Sequence, residues 1–291
     1  MHDTPRDKLL TRIQYLVPQH LLSRVVGLLA ASHSSAIKDT FIQKFAARYQ
    51  VDMNEAAEPD LQSYQSFNAF FTRALKPGAR PVDGSADSIV CPADGAISQL
   101  GPIEGDRVFQ AKGFHYTLNE LLGGDPARAR PFENGVFATV YLSPRDYHRV
   151  HMPYGGTLRE MVYVPGDLFS VNTRTAANVP RLFARNERVV ALFDTDLGPM
   201  AVVMVGAMIV SSVETIWAGL IQPHGRQVVV TRYGDKQPPI VLNKGDEMGR
   251  FRLGSTAIVL FGKDVASWER QYREGTPTRM GTVLGRRLPK A

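Results

Sequence analysis

The chain is poor in cysteine, with one, Cys91, in 291 residues. That excludes an internal disulfide framework and suits a reducing compartment. Free cysteine is most often a small buried hydrophobe, and Cys91 is expected to be one. Long apolar runs are also missing. The longest uncharged one, Met200 to Val210, contains Gly206. It falls short of the roughly 20 residues of a membrane span, so it reads as a buried strand. Leu21–Ala31 is broken by Arg24 and preceded by Pro18, and is not read as a cleaved signal. No fixed-period repeat or low-complexity segment is visible. His148 and His151 have no Cys/His/Asp set at zinc-like spacing, so no metal site is expected.

What remains is an ordinary globular composition, 44% hydrophobic and 21% charged. Net charge is +6, and residues 1–50 carry seven Lys/Arg against three Asp/Glu, an excess of four. A basic, apolar-rich N-terminus suits an anionic surface, either lipid or nucleic acid.

Thr4-Pro5-Arg6-Asp7 has the form of a helix start. Leu9, Ile13, Leu16 and Val17 follow on one face. After Pro18, Leu21, Leu22, Val25, Val26, Leu28 and Leu29 make a second apolar face. Ile37, Phe41, Phe45 and Tyr49 make a third, with Lys38, Lys44 and Arg48 at polar positions. Two readings stand: a helical subdomain packed on the core, or helices lying apolar face down in a membrane interface. Ser66 is placed to cap a short helix at 67–71. Lys76–Ser88, rich in Pro, Gly and Asp, marks a boundary between a helical region, 1–75, and a β-rich region, 76–291.

Beyond that boundary the period changes to that of strands. Ala96–Leu100, Val108–Lys112, Val136–Leu142, Leu158–Val164, Val189–Phe193, Ala201–Val210, Val228–Tyr233 and Thr256–Phe261 are expected strands, punctuated by Gly, Pro and Asp. Thr117-Leu118-Asn119-Glu120 is a capping box, and Val179–Asn186 reads as helix. The expected fold class is α+β: a predominantly antiparallel β barrel or sandwich core with an N-terminal amphipathic helical region.

Three places carry possible chemistry. Arg250 to Phe261 reads as strand, a Leu253-Gly254-Ser255-Thr256 interruption, then strand. Gly254 there suits a bulge or tight bend, but its carbonyl also lies beside the Ser255 hydroxyl. Asp94-Gly95 suits a hairpin turn. Residues 141–153, Tyr-Leu-Ser-Pro-Arg-Asp-Tyr-His-Arg-Val-His-Met-Pro, crowd His148 and His151 with Arg145, Arg149 and Asp146. Imidazole is the natural proton carrier near neutral pH. Asp94, His151 and Ser255 could meet in a fold as an acid, a base and a nucleophile. Gly-x-Ser-x-Gly is absent, so a standard serine hydrolase is not indicated.

These segments resemble the phosphatidylserine decarboxylases. The likeness runs in order through 92–95, 141–153, Val-Pro-Gly-Asp-Leu-Phe-Ser-Val-Asn at 164–172, Leu-Phe-Ala-Arg-Asn-Glu-Arg at 182–188 and Met-Gly-Arg-Phe-Arg-Leu-Gly-Ser-Thr at 248–256. It is to the short, bacterial form. The resemblance implies that Ser255, activated by His151 with Asp94 behind it, attacks the Gly254 carbonyl. The ester then eliminates to release a β chain, 1–254, and leave a dehydroalanine, which hydrolyses with loss of ammonia to give an α chain, 255–291, that begins with a covalently bound pyruvoyl group. That pyruvate-derived carbonyl would take the serine amine of phosphatidylserine as an imine, accept the electrons released with CO₂, and yield phosphatidylethanolamine. His148 or His151 would return the proton to the α-carbon. If 148–151 is extended, the two rings lie on opposite faces. Implied partners are phosphatidylserine in an anionic bilayer and the two chains as a heterodimer, with a dimer of heterodimers as a further assembly and no nucleic acid. The implied location is peripheral, on the cytoplasmic face of the cell membrane. The rivals are an uncut Ser-His-Asp hydrolase at a membrane surface and a pyruvoyl decarboxylase of a soluble amino acid.

Overall fold

A computed structural model describes residues 11, 13–207, 213–221, 225–252 and 255–289. The expected Thr4 cap lies outside them, while residues 11 and 13–16 are helical. Pro18 then precedes α1 (Gln19–Ala30), and α2 (Ser35–Tyr49) ends where Gln50 turns left-handed and donates its amide to the Ala46 carbonyl. α3 (Phe67–Phe71) is capped by Ser66, whose hydroxyl accepts from the Ala69 amide at 3.2 Å.

α1 is amphipathic in an inverted sense. Gln19, Ser23 and Ala30 are its buried positions, while Leu21 and Leu28 are 60% and 76% exposed. Its polar side is held by hydrogen bonds. The Gln19 side chain accepts from the Leu168 amide at 2.7 Å and donates to the Gln14 carbonyl at 2.8 Å. The Gln14 side chain in turn accepts from the Ser170 amide at 3.0 Å. α2 behaves differently. Phe41 stacks on Phe67 with ring centroids 4.1 Å apart, and Phe45 meets the edges of Phe67, Phe70 and Phe71. Lys38, expected at a polar position, is buried: its ammonium pairs with Asp39 and donates to the Gln62 carbonyl at 3.0 Å.

Eighteen strands follow among the described residues. In chain order they are β1 (Ser88–Val90), β2 (Gly95–Pro102), β3 (Arg107–Ala111), β4 (Phe114–Thr117), β5 (Val136–Leu142) and β6 (Arg149–His151). Next come β7 (Gly156–Val164), β8 (Arg188–Thr195), β9 (Gly198–Val205), β10 (Val213–Thr215), β11 (Gly219–Leu220) and β12 (Val229–Arg232). The last are β13 (Val241–Leu242), β14 (Glu247–Phe251), β15 (Ser255–Phe261), β16 (Ala266–Trp268), β17 (Pro277–Thr278) and β18 (Val283–Arg287). Nine form one antiparallel sheet in the order β12-β7-β8-β9-β15-β5-β2-β17, with β13 also on β7. β12 and β17 end that order without pairing to each other, so of barrel and sandwich it is the sandwich that is built.

The large sheet is apolar on both faces. Ile258 and Leu260 of β15 join the core that includes Phe67, Phe70 and Phe71 of α3. Ala257, Val259 and Phe261 join a second core under two smaller sheets, β11-β10-β14-β6 and β1-β18-β16. Strand alternation separates the two sets. β15 lies at the centre, paired along its length with β5 and β9, and every residue in it is buried.

Candidate active site

Asp94 lies in a bend that carries the chain from β1 into β2, rather than in a hairpin turn. The glycine after it is needed for close packing. A Cβ on Gly95 would lie 2.2 Å from the Tyr141 carbonyl oxygen of β5. The Asp94 carboxylate accepts from Arg80 Nε at 2.9 Å to each oxygen and from the Met280 amide at 2.8 Å. Arg80 also donates to Glu55 at 2.6 Å. Both carboxylates hold its guanidinium charged, pushing its pKa above the usual range although burial opposes them.

His151 ends β6 beside this bend, its amide donating to the Pro92 carbonyl at 2.8 Å. Its ring is held at both nitrogens: Nδ1 is 2.8 Å from the Gly245 carbonyl and Nε2 is 3.1 Å from the Tyr147 hydroxyl. A carbonyl only accepts, so Nδ1 carries the proton and Nε2 presents a lone pair. Burial lowers the pKa of His151 and pushes Tyr147 up to about 12, so the ring is neutral and the phenol keeps its proton. The charge of Asp94 acts on His151 through space, but the carboxylate is bonded to Arg80 and Met280 and not to the imidazole.

His148 precedes β6 and is fully buried. Its Nδ1 donates to the Asp146 carbonyl at 2.8 Å, and its ring lies against Phe71 with centroids 3.9 Å apart. Nε2 is buried without a hydrogen-bond partner among the described residues. Burial first, and then the Arg73 charge, push its pKa down to about 3. The segment is extended, and the two imidazoles have separate surroundings.

Ser255 opens β15 opposite Leu142 and is completely buried. It alternates with Ala257 and Val259, so its side chain faces the smaller sheets. Its hydroxyl has no hydrogen-bond partner among the described residues. The smaller sheet is tied together at this end and comes close to the large one at Gly249. The Phe251 amide of β14 donates to the His148 carbonyl at 3.0 Å. A Cβ on Gly249 would stand 2.5 Å from the Glu214 carbonyl and 3.3 Å from Met204 of β9. Gly254, and with it the bond to Ser255, lies outside the described residues. No hydrogen bond links Asp94, His151 and Ser255 to one another among the described residues.

A family model described as phosphatidylserine decarboxylase matches residues 67–286, and one described as PSD matches 9–50. The chain is 62% identical to the phosphatidylserine decarboxylase proenzyme of Pseudomonas fluorescens, over 96% of this chain and 97% of that one. It is 63% identical to the proenzyme of Pseudomonas paraeruginosa, over 98% of each. The chain belongs to the phosphatidylserine decarboxylase family.

In this member of the phosphatidylserine decarboxylases the residue types of the 141–153 segment pointed to the site, but their partners did not. Arg80 lies in the turn-rich stretch 76–88, where a lone arginine carries no signal of burial. Arg73 was likewise unmarked. Its side chain donates to the carbonyls of Arg145 and Asp146 at 3.2 and 3.5 Å, while Nε and Nη1 are buried without partners among the described residues. Arg149 is taken up by Glu247 at 2.6 Å and the Thr72 carbonyl at 3.0 Å. A prosthetic group made from residue 255 fits this chain: the hydroxyl whose attack would start its formation is buried, has no hydrogen-bond partner among the described residues and stands at the head of a central strand.

Proposed function

We propose that this chain decarboxylates phosphatidylserine to phosphatidylethanolamine with a pyruvoyl group made from its own Ser255, at the surface of a membrane. The observation that carries the reading is the buried Ser255 hydroxyl, without a hydrogen-bond partner among the described residues, in a chain of this family. A hydroxyl is a weak nucleophile at neutral pH and needs a base. His151 Nε2, neutral and aimed by the Gly245 carbonyl, is that base. Once the Tyr147 hydroxyl yields its place, Nε2 takes the Ser255 proton. Asp94 acts on the resulting imidazolium by its charge, while Arg80 and the Met280 amide keep the carboxylate in place. Cleavage at Gly254 leaves 1–254 and 255–291 as partner chains.

The pyruvoyl group supplies a carbonyl that draws electrons from the substrate's α-carbon as CO₂ departs. His148 stays neutral at physiological pH, with a lone pair at Nε2, so it serves as a proton acceptor first and a donor only after loading. Burial around it keeps water out. Residues 13–30 bring the site to the lipid: Leu16, Leu21 and Leu28 point away from the protein, and a surface of that kind lies in a bilayer interface. No described helix is long and apolar enough to cross a membrane.

Intact mass with and without borohydride tests the reading. The expected result is two chains, with the 255–291 peptide gaining mass on reduction, and a single uncut chain for Ser255→Ala. Active protein still joined between 254 and 255 would rule the reading out.

A further inference from the structure

The row of residues that crosses the sheet at Ser255 ends in a carboxyl group with no role so far. β15 and β9 pair as Thr256 with Val205, and β9 and β8 as Val205 with Arg188. One step further the row runs Ser255, Gly206, Glu187, and the Gly206 amide donates to the Glu187 carbonyl at 2.8 Å. Residues paired across strands share a face. Ala257, Met204 and Val189, each two positions along, all belong to the core under the smaller sheets. Tyr163 belongs there too, and its hydroxyl donates to Glu187 Oε2 at 2.9 Å. Ser255 and Glu187 therefore face the same side, two strand spacings or about 9–10 Å apart at the backbone. The position between them, Gly206, contributes no side chain.

Glu187 is 9% exposed. Its hydrogen-bond partner is a neutral phenol, and no Lys, Arg or His pairs with it among the described residues. A buried carboxylate without a cation is costly, and burial raises this carboxyl's pKa. The other acids around the site, Asp94 and Glu247, each have an arginine. A ligand that brings its own positive charge supplies what Glu187 lacks. The serine headgroup carries a primary ammonium, which must lose a proton before its nitrogen can attack a carbonyl.

The geometry points to Glu187 as the carboxylate that docks the substrate's ammonium group beside residue 255 and takes a proton from it. One N–H bond breaks, one O–H bond forms on Glu187, and the nitrogen keeps the electron pair. The assignment rests on the function proposed above.

The test is binding of dihexanoyl phosphatidylethanolamine, which keeps the amine and lacks the carboxylate, and of its N-acetyl derivative, measured by calorimetry on the full-length protein. Glu187→Gln is expected to weaken the amine ligand by about tenfold or more, as for loss of a desolvated charge pair, and the N-acetyl ligand by less than about twofold. Glu187→Asp restores part of the loss. Equal weakening of both ligands, or an unchanged amine ligand, overturns the assignment. Should the Gln protein fail to fold, Glu187→Met, suited to an apolar setting, carries the same comparison. Intact mass of the same samples separates the two proposals. A wild-type chain that stays joined sinks the reading of Ser255, whereas the ligand comparison judges Glu187 without needing the carbonyl.

Discussion

His148 is held neutral inside the protein, and that makes it a source of acid sensitivity. Between about pH 6.5, the ordinary histidine value, and about 3 the unfolded chain binds a proton that the folded chain refuses. Stability therefore rises with pH across that window and is lost on acidification, by at most about 1.4 kcal/mol per pH unit from this one group. Urea unfolding between pH 6.5 and 4 should show that slope, and His148→Phe should flatten it; an equal slope in the variant would rule out the assignment. Asp94 carries a different load. It shares Arg80 with Glu55, so Asp94→Asn should lower stability by about 1–3 kcal/mol as well as stop chain cleavage, read by thermal melting and by gel. A variant that loses cleavage and melts like wild type would contradict that dual role. At this scale the sequence was informative about residue types and silent about partners. Two histidines three positions apart mark a site, but nothing in the text of the chain says that Gly245 and Tyr147 orient one ring while Phe71 covers the other.

Element by element, legibility followed length. Val136–Leu142 was read to the residue, because a run of β-branched and apolar side chains buried on both faces has one explanation. β6, with Arg149 and His151 around Val150, has no such signature. It is a strand because β14 is there to pair with it, a tertiary cause. The expected helix 179–186 shrinks to residues 182–185, where Arg181 starts it in a left-handed conformation. The expected apolar stripe of α1 is present, but its direction could not be read from periodicity, which is the same for a stripe facing in or out. Gln19, Ser23 and Ala30 decide it by taking the inward positions. Leu21→Ser with Leu28→Ser should cut partition into phosphatidylserine vesicles by about tenfold or more, since full burial of each leucine is worth about 1.5–3 kcal/mol. Turnover of detergent-dispersed substrate should be unchanged; wild-type affinity for vesicles would refute the outward role. Gly95→Ala places a methyl group against the Tyr141 carbonyl, and should prevent folding or lower the melting temperature by many degrees.

For the molecule as a whole, the break proposed at 254–255 falls at the head of the strand that holds the sheet together. β15 bonds to both β5 and β9, and the same C-terminal stretch adds β17 to β2 and β18 to β1. Residues 255–291 should therefore remain with 1–254 through gel filtration under native conditions and separate only in denaturant; spontaneous loss of the peptide would overturn this account of the architecture. That the core is a barrel or a sandwich was legible from the density of short strands, whereas the choice between them was not, because closure depends on which strands meet last. A chain end pinned between two strands also cannot be renewed. If the carbonyl is made at residue 255 as proposed, exchanging a spent one for a fresh one would mean unzipping the sheet, so the working life of each molecule would equal that of a single chemical group, and a cell would replace worn enzyme only by making more.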